Sequence, residues 1–303
     1  MFFIKDIIKN KFLYILALPG FTFLIIFAYV PLFGYLIAFE DFKLAGGIFG
    51  SRFVGLDNFR FFFGGHEWLK VTFNTVFLNG LFIVFGLGTS IILALLLNEI
   101  RNLLFKKISQ SIVFLPYFIS WLVVSFMTYS ALNSTDGIVN KVLNYIGLES
   151  VQWYLRPEVW PALLTIIYVW KFSGYYSIIF LSAITGISAE YYESAKIDGA
   201  TKIQQITSIT IPLIRPTLII LILLGLGRIF YGDFGMIYGI VGDSGMLYST
   251  TDVIDTYTFR SLRKLGNFSM SSAVTLYQSV MGLITIVFFN WISKRIDSYS
   301  SIF

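Results

Sequence analysis

Cysteine is absent from this 303-residue chain, and histidine occurs once, at His66. That excludes a disulfide framework, thiolate chemistry and any His/Cys metal cluster, and the lone His66 is assigned no role. Charge is scarce as well. Only 13% of the residues are Asp, Glu, Lys or Arg, against about 25% in a soluble domain. Hydrophobic residues make up 56%, and mean hydropathy is +0.77. The chain is therefore an integral membrane protein, and its 32 Phe and 18 Tyr suit side chains placed at lipid interfaces. The net charge of +5 is modest; it fits a bias of cytoplasmic loops rather than a nucleic-acid surface. No G-x-x-x-x-G-K-[ST] phosphate loop is present, so the chain does not hydrolyse ATP by that route.

Six apolar segments are long enough to cross a bilayer, which takes roughly 20 residues: about Leu13–Phe39, Thr72–Asn98, Ile108–Leu132, Trp160–Gly186, Ile211–Ile229 and Ser271–Ile292. The first follows Lys5, Lys9 and Lys11 but is too long for a signal peptide, and no small-residue cleavage site follows it, so it is a retained span. Pro19 and Pro31 should bend it near its ends. The spans contain no Asp or Glu, which disfavours a proton- or sodium-coupled carrier and leaves no acid–base pair for a membrane enzyme. No catalytic residue and no metal ligand is expected. The short basic loop Glu99–Lys107 carries most of the positive-inside signal and places both termini in the cytoplasm. One membrane domain spanning 1–303 is the simplest partition, with a core of about 70–292 and the N-terminal span outside it.

The outside loops are long. "FVGLDNFRFFFGG" within Glu40–Val71 suits a short helix at the interface. The loop Arg228–Met270 holds Gly232, Gly235, Gly239, Gly242 and Gly245, a frequency that argues against a continuous helix and favours a folded-back lining of an external vestibule.

Between the fourth and fifth apolar segments lies "EYYESAKIDGATKIQQITSITIPL", Glu190–Leu213, charged and centred on a glycine. Ser188 can cap a helix whose first turn holds Glu190. Gly199 permits the reversal that ends it, Asp198 can cap the next piece, and Pro212 sits where a helix tolerates proline. Two short helices meeting at a glycine and anchored to spans at both ends form a stiff element. On physics alone, the plainer reading is a solvated connector with no partner.

The spacing resembles the EAA loop of binding-protein-dependent ABC importer permeases: Glu193-Ser194-Ala195, three residues, Gly199, nine residues, then Ile209-Thr210-Ile211-Pro212. Ser194 stands for Ala and Ile211 for Leu. "FVGLDNF", "WKFSGYYSIIFLSAITGISAEYYESAKIDGA", "DVIDTYTFRSL" and Asn290-Trp291 are similar to multiple-sugar and polysaccharide permeases of the maltose-transport class. The resemblance covers almost the whole chain. It implies a type I ABC importer permease fold with six membrane-spanning helices, all-α, whose cytoplasmic coupling loop lies between spans 4 and 5. Glu193, Ser194, Ala195, Asp198, Gly199, Ile209 and Pro212 would form that loop. It also implies partners: a second, similar but non-identical permease, two cytoplasmic ATPase subunits that bind ATP and Mg, and a lipid-anchored extracellular sugar-binding protein. The substrate class would be an oligosaccharide. An importer of glycerol phosphate or of a peptide is the alternative within transport; a sensor subunit that moves nothing is the alternative outside it. The Ile, Phe, Tyr, Asn and Lys bias hints at an AT-rich, Gram-positive source.

A sugar path mixes aromatic faces with hydrogen-bonding groups. Asn79, Tyr117, Ser120, Trp121 and Tyr176 are the candidates. Tyr117, Ser120 and Trp121 fall at i, i+3 and i+4 and would share a helical face, just after the local break offered by Pro116. An interfacial aromatic belt gives a similar pattern. Lys171, inside a span, must pair, snorkel or face water, and a place on the path is its second reading. Arg228 and Asp233 could form an ion pair at the outer end of the fifth span. Asp252, Asp255 and Arg260 are expected to cap and tie down an external helix.

Overall fold

The computed structural model describes residues 9–296; Lys5, Ser300 and both termini lie outside the described residues. Helices account for almost all of the described regular structure, and five of them are long and apolar enough to cross a membrane. They are span 1 (Lys11–Phe39), span 2 (Glu67–Glu99), span 4 (Pro157–Thr185), span 5 (Lys202–Leu226) and span 6 (Phe268–Arg295). Span 3 is a bent pair, Leu103–Phe118 and Trp121–Leu132, with 95° between its halves. The local break expected at Pro116 within Ile108–Leu132 is a full bend, which falls three residues later, at Ile119 and Ser120. Ile119 and Ser120 adopt extended backbone at the break, with ψ of 128° and 151°.

The chain packs as two compact units. One comprises the residues up to His66 together with Thr258–Tyr277. Span 1 enters it as an α-helix, Lys11–Leu24, that runs through Pro19 without interruption; only from Ile25 does it pass into π and 3₁₀ turns, with Pro31 at the start of the latter. None of its most apolar window is buried, as befits a lipid-facing segment. Beyond it, strand β1 (Glu40–Asp41) pairs antiparallel with β2 (Arg52–Phe53). The short helix expected within Glu40–Val71 forms at Asp57–Phe63. Asn58 ties it back by donating its amide to the Ala38 and Glu40 carbonyls at 2.9 and 3.0 Å, while Phe62 is buried against Tyr277.

The other unit comprises Glu67–Tyr257 and the residues from Gln278 on. Spans 2 and 4 lie along one another at its centre. The buried residues of span 2, Val71, Thr75, Leu78, Phe82, Gly86, Ser90, Ala94 and Leu97, recur every three or four positions and so make one stripe. Small residues allow the close approach that helices in lipid rely on. A Cβ at Gly86 would meet the Tyr168 ring at 3.1 Å, and one at Gly174 would overlap the Val113 carbonyl oxygen. Around this pair sit two apolar clusters. One gathers Leu78, Phe82, Trp160 and Leu164 with Met236, Ile237 and Ile240; the other gathers Leu87, Ala94, Leu97, Phe180 and Ile184 with Ile214.

The glycine-rich loop Arg228–Met270 is broken up as expected, but two of its glycines do the opposite of what was anticipated. Gly235 and Gly239 lie within a helix, Phe234–Val241. Their missing side chains let it pack on Trp121–Leu132: a Cβ would meet Trp121 at 3.1 Å and the Ser125 hydroxyl at 2.6 Å, respectively. Tertiary approach here overrides the low helix propensity of glycine. The helix expected around "DVIDTYTFR" forms at Ile254–Leu265. Asp252 accepts from Thr256 Oγ1 at 2.8 Å, and Asp255 accepts from the Gly232 N–H at 2.6 Å and the Gln278 amide at 2.9 Å.

Candidate functional site

The charged element between spans 4 and 5 is built from short-range rules. Ser188 caps the helix Ala189–Ile197, its hydroxyl accepting from the Glu190 N–H at 3.4 Å. The helix ends where Gly199 takes φ +80°. The Gly199 N–H then donates to the Lys196 carbonyl and the Ala200 N–H to the Ala195 carbonyl, at 3.1 and 2.8 Å; this is a Schellman closure, which needs the left-handed residue glycine supplies. Asp198 completes this first helix rather than capping the second. That role falls to Thr201, in a reciprocal capping box with Gln204. From Lys202 the chain runs through a π-helical stretch, Ile206–Thr210, directly into Ile211–Leu226, with Pro212 at the second position.

Three side-chain ties brace the element. Tyr192 OH and Thr210 Oγ1 are 2.9 Å apart, buried Gln205 donates to the Ala200 carbonyl at 3.1 Å, and Lys202 Nζ donates to both oxygens of Glu99 at 2.9 Å. The last tie places the element beside the basic loop that follows span 2. Glu193, Ser194 and Asp198 are exposed, whereas Ala195 and Ile209 are half-buried and line one shallow groove with Gly199. Sequence reasoning passed over three apolar side chains here. Tyr191, Ile197 and Ile203 are 58%, 87% and 73% exposed, on an element otherwise covered with charge.

The break in span 3 explains Lys171. An interrupted helix leaves carbonyls without partners, and in a membrane these need a donor from the protein itself. The Lys171 ammonium is buried and donates to the Pro116 and Tyr117 carbonyls at 3.3 and 3.0 Å, and also to that of Ile119. It lies 5.0 Å from the centre of the Trp121 ring, a cation–π distance. Of its two readings, this geometry is that of the structural pairing.

Beside the middle of span 4 and the C-terminal end of span 5 is a cavity of about 870 Å³. Asn79 and Tyr176 line it, together with Tyr168, Phe172, Tyr175 and Arg228. The other expected path residues stand elsewhere. Tyr117 stacks on Tyr175 with centroids 4.5 Å apart, behind the lining. Ser120 caps Trp121–Leu132 by accepting from the Val123 N–H at 3.4 Å. The Trp121 indole N–H donates to Asp233 Oδ2 at 2.8 Å. Tyr117, Ser120 and Trp121 share no helical face, because the break falls between the first and the last of them. Asn79 is on the wall, but its amide is committed: it donates to the Ile229 and Tyr231 carbonyls at 3.0 and 3.1 Å.

Arg228 and Asp233 form no ion pair. Asp233 is taken by Trp121 and by the Met236 N–H at 3.0 Å, where it caps the helix Phe234–Val241. The residues that sequence reasoning missed, Tyr168 and Phe172, carried a signal, since with Tyr176 they recur at i, i+4 and i+8 on span 4.

Residues 86–298 match the model of the family described as "Binding-protein-dependent transport system inner membrane component". The polygalacturonan/rhamnogalacturonan transport system permease protein YteP of Bacillus subtilis (strain 168) is 33% identical over 289 residues, covering 95% of this chain and 89% of that protein. Among solved structures, a bacterial ABC transporter involved in the import of the acidic polysaccharide alginate contains a chain that superposes with a TM-score of 0.89 at 34% identity, over 98% of this chain and 100% of that one. A second structure of a bacterial alginate ABC transporter, in complex with an alginate pentasaccharide-bound periplasmic protein, gives 0.88 at 34% identity, over 96% and 97%.

Proposed function

The chain belongs to the binding-protein-dependent transport system inner membrane components, and from that membership we propose that it is one permease subunit of an ATP-driven importer of oligosaccharides. An external binding protein, lipid-anchored at the cell surface, delivers the sugar. A second, similar permease completes the path, and two cytoplasmic ATPase subunits bind ATP and Mg and supply the energy. This chain contributes no covalent chemistry. It is a multi-pass protein of the plasma membrane of a Gram-positive bacterium, with both termini, the loop Glu99–Lys107 and Glu190–Pro212 in the cytoplasm.

The observation that carries this reading is the braced element Glu190–Pro212. A connector needs no Schellman closure, no capping box and no tie to span 2, and it gains nothing from exposing Tyr191, Ile197 and Ile203 to water. An ATPase surface that covered these three would bury apolar area at a point mechanically joined to spans 2, 4 and 5. Glu193, Ser194 and Asp198 form the polar rim of that contact; Ala195, Gly199, Ile209 and Pro212 hold its shape. Closure of the ATPases then moves the spans and alternates access to the cavity, whose aromatic wall suits the C–H faces of sugar rings.

Uptake into proteoliposomes tests the proposal. The complex, reconstituted with the binding protein outside and ATP inside, should accumulate labelled oligosaccharide only when both are present. Equal accumulation without ATP, or none with it, would exclude an ATP-driven importer.

A further inference from the structure

We propose that Arg228 is a carboxylate-binding residue of the transport cavity, so that the preferred cargo is an oligosaccharide bearing uronate groups; this rests on the transport reading above. Among the described residues that line the cavity, Arg228 and Asp233 alone carry charge. Both oxygens of Asp233 are engaged, one by the Trp121 indole and one by the Met236 N–H. Asp233 is therefore part of the frame. Arg228 is the opposite case: its guanidinium is exposed, on the cavity wall, with neither a hydrogen bond nor an ion pair among the described residues.

A guanidinium in that setting has a defined partner chemistry. Its planar fork matches a carboxylate with two parallel hydrogen bonds, and it stays charged at any physiological pH. A neutral sugar hydroxyl cannot offer the same geometry or the opposite charge. Tyr168, Phe172 and Tyr176 supply ring faces on the wall where Arg228 sits, so a pyranose stacked on them would bring its substituents within reach of the cation. An arginine on the wall with no partner of its own is available to an anion that enters the cavity. Discrimination against the neutral analogue follows.

The test compares one oligosaccharide in two forms, the uronate and its carboxyl-reduced neutral counterpart, in uptake by the complete complex with its binding protein. The variants are Arg228→Gln and Arg228→Lys. The same binding protein serves every complex, so its own selectivity cancels in each variant-to-parent ratio. Arg228→Gln is expected to lower uronate uptake by about tenfold or more, equivalent to about 1.4 kcal/mol. Uptake of the neutral form should fall clearly less than that of the uronate, and Arg228→Lys should recover part of the loss. If the parent carries only the uronate form, the Gln-against-Lys comparison decides: a loss in Gln that Lys recovers supports the assignment, and an equal loss in both overturns it. A fall in both sugars alike, or in neither, overturns it too and leaves the importer reading intact. Failure of the parent complex to carry either form with ATP overturns both.

Discussion

Replacing Lys171 with Met removes a buried ammonium while keeping a side chain of similar length, and so isolates the role of the charge. In the parent, three carbonyls at the break of span 3 share this one donor group. Hydrogen bonds to a charged donor contribute about 1.5–3 kcal/mol each, and a buried acceptor left without a donor costs about 1–3 kcal/mol. Against this stands relief from burying the ammonium, which alone amounts to several kcal/mol. When both members of a buried pair are replaced together, the two effects roughly cancel. Here the acceptors belong to the backbone and remain. The loss therefore prevails, at about 3 kcal/mol after the backbone relaxes or admits a water. By the scaling of soluble domains this is a fall in melting temperature of roughly 5 °C or more, read by thermal unfolding of the purified complex. A Lys171→Met complex that melts with the parent while changing only its sugar uptake would refute the structural assignment and return Lys171 to the path.

Single cysteines at Ser109 and Ser188 should resist impermeant thiol reagents in intact cells, whereas one at Ser51 should react; labelling at Ser188 equal to that at Ser51 would invert the topology. Gly199→Val forces a β-branched residue to φ +80°, a strain of about 1–2 kcal/mol. The complex should assemble but lose most of its sugar-stimulated ATPase activity, and parental stimulation would reduce the element to a connector. Tyr176→Ala removes a cavity ring without touching the Lys171 cluster, so uptake should fall at least severalfold with assembly and basal ATPase unchanged; parental uptake kinetics would take the path away from this wall. Burial pushes the Asp255 carboxyl above the usual carboxylate range, against the pull of the Gly232 and Gln278 donors. Its folded-state pKa thus exceeds the unfolded value of 3.8, and its contribution to stability is whole below that value and lost as pH rises through the raised one. Asp255→Asn should flatten this part of the stability–pH curve, and an unchanged slope would assign the dependence to other groups.

The spans and the two short helices meeting at Gly199 were legible because their signals are local. Lipid demands unbroken apolar runs, and the Schellman closure at Gly199 needs only the residues beside it. The break in span 3 was legible only as a local interruption at Pro116, and its 95° extent was not. Its sequence is apolar throughout, Pro116 is a weak mark, and the group that makes the break tolerable is Lys171, 52 residues beyond Ile119. Arg228 and Asp233 misled for a related reason. Their separation of five invited a pair, but Asp233 belongs to Trp121, which lies 112 residues earlier. The aromatic wall was hidden by abundance: in a chain with 32 Phe and 18 Tyr, a spacing of i, i+4 and i+8 does not stand out until a cavity is seen beside it.

The positions of the cavity and the coupling element constrain how one can act on the other. Both are carried by spans 4 and 5: the cavity lies at the middle of span 4 and the C-terminal end of span 5, and the charged element joins the other ends of the two. Tyr168–Tyr176 line the cavity from span 4, and Leu221–Arg228 line it from the end of span 5; the coupling element begins at Ser188 and passes into span 5 at Lys202. From Tyr176 to Thr185 is nine helical residues, or about 14 Å at 1.5 Å per residue. Only the three-residue turn Gly186–Ser188 separates this helix from Ala189–Ile197. A displacement imposed at Ala189–Ile197 therefore has a short path to the aromatic wall. The Lys202–Glu99 tie does not carry this load: both side chains are more than half exposed, and such a pair contributes at most about 1 kcal/mol. It sets where the element lies, beside the end of span 2 at Glu99.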